Sequence, residues 1–85
     1  MTEKEQKVNA ALWRIGMVKG AQAVEQFVRR GVDLTDEVKK LSDISQTAYT
    51  RAWRMAWEDS LYFYPTYEPA LKKMYQKVVD KILPF

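Results

Sequence analysis

Glu58 and Asp59 are the side chains of this 85-residue chain that come nearest to acid–base chemistry, and their spacing argues against it. Adjacent residues on a helix point about 100° apart, so the two carboxylates do not converge on one proton. The chain has no histidine and no cysteine. That removes the most frequent general base, the usual zinc ligands and the reactive thiolate. Glycine-rich phosphate loops are also missing from the sequence. The expectation is a non-catalytic protein that uses no metal or cofactor. Asp59 falls near the arc of Ala48, Ala52 and Met55, and two readings stand for it. It is either an acid reaching solvent or a partly buried carboxylate held by a tyrosine or a basic side chain.

Recognition is the other chemistry on offer. The stretch "RAWRMAWEDSLYFYPTYEP", residues 51–69, concentrates aromatic side chains beside two arginines. Tyr49, Trp53, Trp57 and Tyr64 form a stripe along one helix, with Arg54 on its polar side and Tyr67 just beyond the following turn. Trp, Tyr and Arg are the types enriched at interface hot spots, which makes Tyr49, Trp53, Arg54, Trp57, Tyr64 and Tyr67 the candidate partner-binding residues. The competing explanation is that the stripe is core, packed against Leu71, Met74, Tyr75 and Val78 of a third helix. How far that helix reaches along the stripe decides between them.

Nucleic-acid binding is the second functional reading, with Lys39, Lys40, Arg51 and Arg54 as a basic ridge and the aromatics as stacking platforms. Against it, the net charge is only +3 and five carboxylates share the same segment. Membrane-surface association by the lysine-rich C-terminal helix and its terminal "ILPF" is not expected, because lysines on the solvated face of a bundle helix explain the same pattern.

The elements that must position these residues are helical. Thr2 and Glu5 have capping-box spacing, and Arg29, Arg30 and Gly31 have the character of a helix C-terminus. Between them lies one helix of roughly 28 residues, about 42 Å long at 1.5 Å per residue. Gly16 and Gly20 form a G-x-x-x-G step on its apolar arc, where another backbone can come close, and they are the candidate self-association residues. A second helix of similar length is read from Leu34 to the turn at Tyr64-Pro65-Thr66, on apolar residues at helical spacing from Val38 through Met55 to Phe63. Ser42 to Ser45 is its weak point, because serine and aspartate compete for backbone hydrogen bonds, and a break there is the alternative. Leu71, Met74, Tyr75, Val78 and Ile82 mark a shorter amphipathic third helix.

The expected fold is therefore all-α: one domain, a three-helix bundle built on a long antiparallel hairpin with a short helix against it. A domain this small, without disulfides or metal, gains from a second copy, so a homodimer is expected. The polar N-terminus and the lack of cysteine point to the cytoplasm.

Overall fold

The computed structural model describes residues 2–82, which form helix α1 (Glu3–Arg30), a 3-10 segment (Thr35–Lys40), helix α2 (Asp43–Phe63), a 3-10 turn (Pro65–Tyr67) and helix α3 (Glu68–Ile82). The fold is all-α, with no strand among the described residues. Helix α1 begins and ends where the sequence places it. The Thr2 hydroxyl accepts the Glu5 amide at 3.1 Å, and Gly31 closes the helix in the left-handed conformation at φ 68°. Its amide donates to the Phe27 carbonyl at 2.9 Å, the arrangement only glycine adopts without strain. At 28 residues α1 accounts for the 45 Å long axis of the molecule.

The long second helix is instead two elements, and the break at Leu41-Ser42 is the alternative that occurs. Both residues are extended, and the Ser42 hydroxyl accepts the Ser45 amide as the N-cap of α2. Upstream, Thr35 and Val38 are buried and Leu41 is half-buried, the three-residue spacing that brings side chains into line on a 3-10 helix. Leu34, Val38 and Leu41 also satisfy an α-helical period, which is why periodicity alone runs the two elements together.

This break changes the direction of the chain. Residues 31–42 are long enough to carry it back along α1, so α2 starts beside Leu12: the Ser45 hydroxyl donates to the Leu12 carbonyl at 2.6 Å. One turn on, Gly16 faces Ser45 and Ala48, and a further turn on Gly20 faces Tyr49 and Ala52. Residue numbers rise together, so α1 and α2 run in the same direction, correcting the antiparallel hairpin. The antiparallel neighbours are α2 and α3, with Trp57 against Tyr75 near one end and Thr50 near Ile82 at the other.

Gly16 and Gly20 are likewise reassigned. They are buried within the chain against α2, so their close approach serves α1–α2 packing rather than self-association. The core proper is Ala23, Val38, Tyr49, Trp53, Leu71, Met74 and Val78, with Phe27 meeting Trp53 edge-on at 5.9 Å between ring centroids. Because α2 begins level with Leu12, residues 3–8 of α1 lie beyond it and are exposed.

Ion pairs fasten α3 to the returning segment. Lys77 pairs with Asp33, whose other oxygen accepts the Thr35 amide at 2.8 Å and hydroxyl at 2.5 Å, and Lys81 pairs with Asp36 at 2.5 Å. Burial works against the Asp33 charge, but the Lys77 ammonium and the Thr35 donors outweigh it and hold its carboxyl at about 2. The stabilisation is complete above about pH 4, the unfolded carboxylate range, and is lost as pH falls towards 2. Since Asp33 is about one-third exposed, solvent screening limits the effect to about 1 kcal/mol. Urea midpoints at pH 5 and pH 2.5 are expected to differ less in Asp33→Asn than in the wild type.

Candidate protein-binding surface

The third helix covers the predicted stripe as far as Trp57 and stops short of Tyr64. Tyr49 and Trp53 have no exposed surface, so these two are core and are removed from the partner-binding set. The Tyr49 hydroxyl donates to the Leu34 carbonyl at 2.6 Å, tying α2 to the start of the returning segment. Burial raises its pKa; the nearby Trp53 N–H pulls it down only in part, and the charges of Glu37 and Asp33 add to the rise. The Trp53 N–H lies near that hydroxyl without hydrogen-bond geometry and has no partner.

Trp57, further along, is half-buried. Tyr75 stacks on it at 5.8 Å and 21°, Glu68 accepts its N–H at 3.1 Å, and the Lys72 ammonium lies 5.4 Å from the ring centroid. Helix α3 thus occupies both the face and the polar edge of the indole. Arg54 is exposed but committed to Glu58 at 2.7 Å, a pairing that raises its pKa. Lys39 and Lys40 belong to the 3-10 segment and Arg51 and Arg54 to α2, and Lys40 pairs with Glu37 at 3.3 Å. The single basic ridge along one helix is therefore not formed.

What stays open is the end of α2 and its turn. Leu61, Tyr62 and Phe63 are 67%, 83% and 72% exposed, and Tyr64 and Tyr67 are also exposed, their rings meeting edge-on at 6.4 Å. Of the predicted residues only Tyr64 and Tyr67 belong to this tip. Phe63 and Met55, expected in the core, are at the surface. The reason is register: the stripe through Tyr49, Trp53 and Ser60 turns inward, while Ala48 and Ala52 face the glycines, so Met55 and the last turn of α2 rotate outward. The run L-Y-F-Y of four large apolar residues was the available signal, since consecutive positions on a helix cannot all face one core.

A second open feature is continuous with the tip. Met17, Ala21 and Val24 of α1 and Ala52, Met55 and Ala56 of α2 line a shallow apolar groove of about 210 Å³, and Tyr64 closes a neighbouring depression over Ala21, Val24 and Val28. Its volume is below the roughly 300 Å³ at which small-molecule sites begin. The floor is alanine, shaped to take individual side chains. No cluster of three or more metal-ligating side chains occurs among the described residues, and no helix there is long and apolar enough to cross a membrane. The C-terminal "LPF" of the membrane-surface reading lies outside the described residues; the apolar face of α3, Leu71, Met74 and Val78, is buried in the core.

Comparison with protein-family models, with curated proteins and with solved structures returns no match to this chain.

Proposed function

We propose that the protein is a small non-catalytic protein-binding module, an accessory factor or inhibitor that works in the cytoplasm by occluding part of a larger partner through the Leu61–Tyr67 tip. The observation that carries the reading is the tip's exposure. Three consecutive large apolar side chains, each more than half exposed, together with Tyr64 and Tyr67, present on the order of 500 Å² at aromatic areas of 150–250 Å² per residue. That is near the upper end of the largest apolar patch on a typical monomer, and over half of one partner's share in a standard interface of about 800 Å² a side. Aromatic side chains at the end of a packed helix lose little entropy on binding, because the backbone is already ordered.

Replacing Phe63 by serine tests this. The side chain makes no core contact, so thermal stability is expected to stay within about 0.5 kcal/mol of wild type. A partner captured by the wild-type protein is expected to be lost at least tenfold from the Phe63→Ser variant, as for a hot spot of about 2 kcal/mol. Equal retention by both would overturn the assignment.

A further inference from the structure

We infer that a second copy of this chain docks on the α1–α2 groove, the two copies pairing about a two-fold axis that passes beside Met55. The argument rests on charge and shape together. Met55 is 41% exposed in the middle of α2 and lines the groove with Met17, Ala21, Val24, Ala52 and Ala56. Arg51 and Asp59 stand one turn to either side of it, about 6 Å along the helix and 40° to left and right on the same face. Both are exposed, and neither has an ion-pair partner among the described residues. Arg54 and Glu58 on the same helix, by contrast, already satisfy each other.

A two-fold interface must be self-complementary: whatever residue i meets on the partner, that residue meets i in return. Opposite charges at equal distances on either side of an apolar centre have that property. Running two α2 helices antiparallel across Met55 places Arg51 of each copy against Asp59 of the other, twice, with methionine against methionine between them. The same charge pattern does not discriminate for any other acidic or basic partner, since it offers equal numbers of each sign. Methionine, unbranched and adaptable, suits entry into the partner's alanine-floored groove.

The pairing brings Tyr62, seven residues from Met55 and about 20° from it around the helix, towards the partner copy, and leaves Phe63 about 80° to the side. Phe63 lies eight residues from the axis, about 12 Å along α2, so a dimer would display one Phe63 at each end. It would also account for the open groove without using Gly16 and Gly20, which the fold consumes internally.

The test is sedimentation equilibrium combined with charge reversal and cross-linking. The wild type is expected to be a reversible dimer at high micromolar concentration. Asp59→Arg, which sets like charges together at two places, is expected to weaken dimerisation about tenfold or more. Combining it with Arg51→Asp is expected to restore the wild-type affinity, because the reversed pattern is again self-complementary. Both positions are exposed, so helical circular dichroism should not change. The chain has no cysteine, so under oxidation Met55→Cys is expected to form a disulfide between copies, whereas Lys73→Cys on the outer side of α3 is not. A wild-type monomer at these concentrations, a dimer indifferent to Asp59→Arg, a double reversal that fails to restore it, or cross-linking equal at both cysteine positions would each overturn the proposal.

Discussion

Gly16→Ala is expected to destabilise the protein by about 2–4 kcal/mol, although alanine favours an isolated helix by about 1 kcal/mol over glycine. A Cβ at Gly16 would lie 2.2 Å from the Ser45 carbonyl oxygen and 2.7 Å from the Ala48 Cβ. Neither can swing aside, since one is backbone and the other has no rotamer. Relief requires α1 and α2 to separate by about an ångström, which stretches the Ser45–Leu12 hydrogen bond and opens the Phe27–Trp53 contact. Total stability for a chain of this size is roughly 4–13 kcal/mol, so the loss is a large fraction of the whole. Gly20→Ala meets the Ala52 Cβ at 2.6 Å and the Tyr49 carbonyl at 2.9 Å, and is expected to cost somewhat less. Gly31→Ala meets nothing within 4 Å and is limited by its positive φ to about 1 kcal/mol. Urea denaturation of the three variants should give the order Gly16, Gly20, Gly31. A stabilised Gly16→Ala would mean that the helices do not meet there.

The same two glycines show how much of the fold was legible. Their need for a close neighbour, the span of α1, both of its ends and the amphipathic α3 follow from local chemistry, and local chemistry is what a sequence displays. Direction is not local. Reading residues 34–63 as one helix leaves only a short turn after Gly31 and forces an antiparallel partner. Once Ser42 caps a new helix, the twelve residues before Asp43 become a return strap and α2 runs parallel. The signal that could have exposed this was the matching step of Ala48 and Ala52, four residues apart like Gly16 and Gly20, which lets two small-residue rows lie side by side.

Trp53→Ala carries the second large effect, about 3–5 kcal/mol, because it empties the centre of the core between Phe27, Tyr49 and α3. Trp57→Ala, removing a half-buried ring stacked on Tyr75, is expected to cost about 1–2 kcal/mol and to leave the chain folded. Trp53→Phe supplies a sharper comparison. It gives up ring volume but also removes a buried N–H that has no partner, so its cost should fall near 1 kcal/mol, well below the alanine variant. Equal losses for Trp53→Ala and Trp57→Ala would place the two indoles in equivalent surroundings, contrary to the packing of α3.

The candidate site was less legible than the fold for a related reason. Tyr49, Trp53, Trp57 and Tyr64 share a stripe by spacing, but spacing does not say which of two stripes faces inward. Helix α3, anchored through Asp33–Lys77 and Asp36–Lys81, covers the first three and stops short of the fourth. Tyr64 and Tyr67 remain, joined by Leu61, Tyr62 and Phe63, whose exposure depends on how α2 is rotated against the glycines of α1.

The most direct measurement is site-specific photocrosslinking in the protein's native cells, with p-benzoylphenylalanine in place of Phe63 and, as a control, in place of Lys73 on α3. A heteromeric protein adduct formed at position 63 and absent at position 73 is the predicted result. No protein adduct at position 63, or the same adduct from both positions, would contradict the assignment of the tip as the partner-binding surface.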